Sequence, residues 1–354
     1  MKFTATRLAF AVAFVGLVVF LLLPSPIDPA AYDPPTPPEM KGALAPNSDL
    51  RQAERLAERE VQGPEDVAVD DRGRIYVGTE DGRIVRLDSE GGNLETFATT
   101  DGRPLGLHFD ALGRLVVADA AKGLLRIDSA GVIEVLSRRA DNLPFRFTDD
   151  LDIASDGRIY FSDASSRFDH HHYLHDLLEA RPHGRLLRFD PATGATEVLL
   201  DGLYFANGVA LSQAEDFVLV NETYRYRITR YWLTGDRAGE SDIFADNLPG
   251  FPDGVSANRR GTFWAALFTV RNPSADRLHP RPRVKSLLAK LPRLFWPKPA
   301  PYGLVIGYDE GGNIIRTLQD PGGEIIPQVT SAEEVDGQLY LGNLDRDFLA
   351  RVSL

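Results

Sequence analysis

The sequence of 354 residues predicts an all-β protein, a six-bladed β-propeller preceded by a hydrophobic N-terminal membrane anchor. Three observations predict it: a strand–turn–strand unit that recurs six times, 31 Gly and 24 Pro to make turns, and an apolar run within the first 23 residues. Length alone does not force two domains, because all-β barrels and propellers run long without dividing.

The repeat is visible by eye. GPEDVAVDDRGRIYVG from Gly63, RPLGLHFDALGRLVVA from Arg103 and FTDDLDIASDGRIYFS from Phe147 are each an alternating strand, a polar turn ending in Gly and a second strand. FANGVALSQAEDFVLV from Phe205 puts Glu215 at the turn Gly, FPDGVSANRRGTFWAA from Phe251 keeps Gly261, and VTSAEEVDGQLYLG from Val329 has a shorter turn. Third strands follow, such as Gly82 to Leu87 and Gly184 to Phe189, then fourth strands such as Leu94 to Ala98. Four antiparallel strands per unit make a propeller blade. The sixth unit ends at Leu354 after a third strand, Phe348 to Val352, so Arg55 to Val61 is expected to supply the fourth and close the ring.

The first strand of each blade lines the central channel, so equivalent positions converge on one axis. Eight residues before the turn Gly stand Glu65, Leu105, Asp149 and Asp253, and the same count to Glu215 gives Asn207. Three carboxylates and an amide facing one another repel unless a cation joins them. Oxygen donors, with no Cys in the chain and no clustered His in this set, favour calcium; magnesium fits less well, and zinc and manganese stay open. The bland alternative is that Asp and Asn merely begin strands, as they do in many turns.

The segment before the blades carries the targeting signal. Lys2 and Arg7 precede an uncharged, largely apolar run, Leu8 to Leu23, and then Pro24-Ser25-Pro26. The run is slightly short of the roughly 20 residues of a full span, although Phe3 to Thr6 can extend it. Residues 1–23 are therefore expected to be a signal anchor, since no clear A-x-A site follows, with a cleaved signal peptide as the alternative. Basic residues before the run, with Asp28 and Asp33 after it, place the bulk of the chain outside the cytoplasm, in the periplasm, a lumen or the extracellular space. If the segment is cleaved, the protein is secreted. Residues 24–50 read as a Pro-rich linker and 51–354 as the propeller.

A net charge of −12 argues against nucleic acid, and the lack of Cys excludes disulfides, thiolate nucleophiles and Cys-ligated metals. Two insertions interrupt the blades. One holds His170, His171, His172 and His175, which can overhang the channel mouth or lie on a solvated loop; His108, on a first strand, reads as packing. The other, residues 271–301, includes VKSLLAKLPRLFW and seven basic residues with no acid between Arg277 and Lys298. It reads as a lid over the channel, or as an amphipathic surface at 284–296 with Trp296 that lies on anionic lipid.

GRLLRFDPATG, LLDGLYFANGVALS, RITRYWLTG, NLPGFPDGV and LQDPGG together make the chain resemble the strictosidine-synthase-like branch, related to adipocyte plasma membrane-associated protein, of the superfamily that includes SMP-30 gluconolactonases and paraoxonases. The likeness covers residue 55 to the C-terminus. It implies that Glu65, Asn207 and Asp253 hold a catalytic calcium, matching the register count. Relatives often show Asn-Asp where this chain has Asp149-Asp150, and Asp-Asn where it has Asp253-Gly254. The implied activity is metal-dependent hydrolysis of a small-molecule lactone or aryl ester, with Asp253 or Asp149 as base. Strictosidine-type condensation is not expected, because Val329-Thr330-Ser331 lacks the synthase's carboxylate and only Glu333 and Glu334 follow. The competing reading is a non-catalytic, membrane-tethered binding or scaffold propeller.

Overall fold

The computed structural model describes residues 2–354, apart from the side chains of residues 2–6, 8–11 and 17. Six four-stranded antiparallel sheets are arranged as blades. Their innermost strands are Val67–Val69, Pro104–Phe109, Thr148–Ile153, Ala206–Leu211, Gly250–Ala257 and Ala332–Val335. The expected six blades are present, and the turn positions explain their spacing. Gly73, Gly113, Gly157 and Gly261 all have φ between 71° and 88°, where a Cβ is disfavoured. Glu215 takes the same place at φ 55° in blade 4, and its carboxylate accepts from Ser155 N and Oγ, both at 2.8 Å.

Alternation along the second and third strands fills the wedges between blades. Val77 and Val85 of blade 1 pack toward Tyr340 and Leu349 of blade 6. Their neighbours Tyr76 and Ile84 pack the other way, against Leu115 and Leu125 of blade 2. Each sheet thus serves two cores at once.

The ring closes as the sequence requires, with a shorter strand than expected. Glu54–Leu56 pairs with Leu349–Ser353 through Glu54↔Arg351, Arg55↔Ala350 and Leu56↔Leu349. Ala57 and Arg59 then adopt φ of 51° and 67°, which ends the strand before Val61.

Helix α1, Lys2–Leu22, contains the apolar run. Among the described residues no helix is long and apolar enough to cross a membrane. The Pro-rich stretch after it has no regular structure beyond short 3-10 turns at Gly42–Leu44 and Asp49–Gln52, yet it is packed along the rim of the propeller rather than free. Ile27 is buried, Ala30 N and O are both bonded, and Asn47 Oδ1 accepts from Gln319 N at 2.9 Å.

At the axis the inner strands approach so closely that the residue after the axial one is glycine in blades 2, 4 and 5, at Gly106, Gly208 and Gly254. A Cβ on Gly208 would lie 2.2 Å from Val255 N and 2.6 Å from Asp253 O. Gly208→Ala is therefore expected to cost about 1–3 kcal/mol by overpacking, read as a lower midpoint of thermal unfolding; an unchanged midpoint would show that the inner strands can spread.

Candidate functional site

The register predicted from sequence is realised through a repeated irregularity. Pairing of the first two strands slips between Pro104 and Leu107, Thr148 and Leu151, Ala206 and Val209, and Pro252 and Val255. Each slip brackets the residue that the count selected, Leu105, Asp149, Asn207 or Asp253. A bulge of this kind bends the strand and re-aims a side chain, which is why bulges gather at active sites. Glu65 precedes its strand. All four polar residues of the set are buried and line one cavity.

Their electrostatics are those of acids held together in a dry place. Burial, then the charges of Asp149, Asp253 and Asp66, pushes the Glu65 carboxyl well above its ordinary range. Burial and then Asp253 and Asp150 do the same to Asp149. Burial raises Asp253 to about 7 against an opposing hydrogen bond from Asn207 Nδ2. Asp149 Oδ2 is buried without a hydrogen-bond partner.

These donors suit a hard divalent cation in kind: oxygens only, mutually repelling, with one acceptor unused. Among the described residues no group of three or more His, Cys, Asp or Glu is gathered tightly enough to hold a metal by itself. The acids alone are thus not a finished cage. A cation here would draw on carboxylates from several blades, the Asn207 amide turned to present its oxygen, and water, which is ligation that calcium tolerates.

The cavity above this floor measures about 490 Å³. Aromatic rings stand in its walls: Phe147, Phe205 and Phe251 each come two residues before an axial residue. The same step in blade 2 reaches Arg103. Sequence reasoning stopped at the axial position and missed these four, although the count minus two would have found them.

The roof comes from the two insertions. Helix α2, Tyr173–Glu179, covers one side; α3, Pro273–Leu278, and the chain from Arg293 to Pro299 cover the other. His170 and His171 line the cavity, whereas His172 is tied to Asp169 and His175 packs between Phe168 and Trp296. The amphipathic stretch is broken: α4 spans Pro282–Leu288 and a 3-10 turn spans Arg293–Phe295, because Pro292 lacks the N–H to continue a helix. Trp296, which one of the two readings laid on lipid, is turned inward onto Ile27 and Leu178, and its Nε1 donates to Leu288 O and Leu291 O.

Below the axial floor a narrow channel of about 30 Å³ is lined by Asp66, Asp150, Asp152 and Glu333. His108 lies there as well, its Nε2 3.9 Å from Asp152 Oδ1, and burial holds its pKa below the usual value. It belongs to the channel and not to the packed core that its strand position suggested. Glu334 is bonded by Trp264, Asn258 and Arg260, and neither it nor Glu333 lines the roofed cavity.

Fold and site together define a six-bladed propeller with a roofed, acid-floored axis. A family model described as Strictosidine synthase matches residues 149–236, and one described as Strictosidine synthase-like, N-terminal, matches residues 42–87. The adipocyte plasma membrane-associated protein of Rattus norvegicus is 40% identical over 99% of this chain and 99% of its own length. The chain belongs to the strictosidine-synthase-like family, in the branch of the adipocyte plasma membrane-associated proteins. Among solved structures, a gluconolactonase of Xanthomonas campestris superposes with a TM-score of 0.62 at 20% identity, over 94% of this chain and 99% of its own. Regucalcin of Agrobacterium tumefaciens, described as a calcium-binding protein, gives 0.60 at 16% identity over 84% and 92%. At these identities the likeness is one of fold.

Each raised carboxyl holds its proton more tightly in the folded state than in the unfolded one. Its contribution to stability is complete below the unfolded pKa and is lost as pH rises through the folded value. In chelator, the unfolding midpoint should fall between pH of about 4 and about 7, and Asp253→Asn should flatten the fall. A wild-type midpoint indifferent to pH over that window contradicts a repelling acid floor.

Proposed function

We propose that the roofed cavity is the active site of a calcium-dependent hydrolase acting on lactones or aryl esters. The observation that carries this reading is the juxtaposition of Glu65, Asp149, Asn207 and Asp253 on the floor of a roofed cavity of about 490 Å³ lined by aromatic rings, with Asp149 Oδ2 left without a partner among the described residues. The calcium-binding description of regucalcin and the lactonase name of the Xanthomonas protein support it by shared fold.

When bound, a divalent cation polarises an acyl carbonyl and offsets the charge that grows on its oxygen. The chain's own residues do the rest. Phe147, Phe205 and Phe251 hold an apolar ring against the wall and keep bulk water out. Asp253, on the cavity floor, is placed to accept a proton from attacking water. Asp149 is the alternative base. Water adds across the acyl carbon, the acyl–oxygen bond breaks, and the leaving oxygen takes the proton.

The same reading places the protein at a membrane, with α1 as anchor and the propeller outside the cytoplasm. The relatives' name, plasma membrane-associated, supports it. So does the lid surface, where Leu294 and Phe295 are 72% and 62% exposed beside Lys290 and Arg293. Lys290 Nζ donates to Phe20 O and Leu21 O at the end of α1, joining the lid to the helix.

Purified full-length protein is expected to contain calcium and to hydrolyse a δ-lactone or phenyl acetate, with loss of turnover on chelation. Asp253→Ala should lower the rate by roughly 10²–10⁴ while the propeller still unfolds cooperatively. A wild-type protein with no bound metal and no turnover on either class would leave the scaffold reading in its place.

A further inference from the structure

Arg103 is 5% exposed and lines the cavity beside Glu65 and Asp149. Its backbone is fixed on both sides: N donates to Asp119 Oδ1 at 3.1 Å, and O accepts from Ala120 N at 2.9 Å. Nη2 donates to Gly63 O at 2.9 Å; a Cβ on Gly63 would meet Leu344 O at 2.6 Å and that nitrogen at 3.2 Å. Nη1 is buried with no hydrogen-bond partner among the described residues.

A guanidinium carries five donors and cannot discard its charge. Buried arginines are ordinarily paired, as Arg185 is with Asp163 at 2.5 Å in blade 3. Arg103 has no carboxylate oxygen within the 4.0 Å of an ion pair among the described residues. Glu65, Glu80, Asp119 and Asp149 act on it only through their fields. Their charge lets the cation stay buried, yet none takes up the free side of its fork. Arg103 stands two residues before the axial Leu105, as Phe147, Phe205 and Phe251 stand before Asp149, Asn207 and Asp253, and all four line the same cavity as the axial acids.

We propose that Arg103 is a carboxylate-recognition residue, which receives on its Nη1 side the acid group of an organic acid whose apolar body lies against Phe147, Phe205 and Phe251. A planar fork meets a carboxylate with two parallel hydrogen bonds, which a lysine cannot reproduce. The assignment deepens the reading of the cavity as a substrate site: ester or lactone hydrolysis yields a carboxylate, so the same donor meets the carbonyl oxygen as its charge grows and then the acid product. It concerns binding and does not require turnover.

The test is calorimetric binding of benzoate and of its neutral counterpart methyl benzoate to the full-length protein, with and without chelator so that a cation's own contribution is separated. Wild type should bind benzoate at least about tenfold more tightly than methyl benzoate in both conditions. Arg103→Met should abolish the preference, and Arg103→Lys should retain only part of it. Equal binding of the two compounds by wild type, binding of neither, or a wild-type preference that survives in Arg103→Met would overturn the proposal. Should Arg103→Met fail to fold, the wild-type comparison and Arg103→Lys still decide. Benzoate selectivity without any hydrolysis on the lactone and ester panel leaves Arg103 assigned and removes the hydrolase, whereas hydrolysis without selectivity does the reverse.

Discussion

Three residue pairs at the seam between the chain ends, Glu54 with Arg351, Arg55 with Ala350 and Leu56 with Leu349, hold the rest of the structure in register. A propeller blade has no closed core of its own; its two faces are buried only by its neighbours. Were the seam open, blade 6 would expose an unpaired edge, and Val77 and Val85 would lose the Tyr340 and Leu349 surface that covers them. The axis depends on the same closure, because Gly254 N reaches Thr330 O at 2.7 Å and Asn343 N reaches Pro64 O at 2.6 Å only if blades 5, 6 and 1 meet. The floor of the cavity is thus assembled from residues as far apart in sequence as Glu65 and Asp253.

That floor runs against the tendency of the fold around it. Elsewhere the inner and middle strands exchange apolar contacts, whereas at the axis the chain concentrates carboxylates where water is scarce. Such sites persist where surrounding packing over-determines them, and they are where local stability rules are expected to be broken for function. The slips of pairing at Asp149, Asn207 and Asp253 are the device that allows it: they turn acid and amide side chains out of the ladder without interrupting the blades on either side.

The blades were legible because a hairpin turn needs positive φ at a fixed offset, and Gly73, Gly113, Gly157 and Gly261 mark that offset. The axial residues were legible for the same reason, since a constant distance from the turn is a constant height on the strand. The roof was not. Its helices sit in insertions with no period, and their packing is decided by partners far along the chain, as when Trp296 meets Ile27. Sequence spacing showed that the segment was amphipathic but not which face another part of the protein would claim. Arg103 lay between these cases: it stands two residues before the axial Leu105, and only its burial with no carboxylate partner for Nη1 among the described residues, visible in three dimensions, separates it from an ordinary surface arginine.

The strap that follows α1 has a mechanical consequence. Helix α1 ends at Leu22, and by Ile27 the chain is already buried beneath the roof against Leu178 and Trp296. Five residues of extended chain span at most about 18 Å, so the link between α1 and the propeller is a short stub and not a leash. Whatever holds α1 also limits how far the propeller can tilt or turn. A pull on the helix is transmitted first to Ile27 and Ala30, and through them to α2 and α4, which makes the covering of the cavity, rather than the blades, the part of the molecule that bears load.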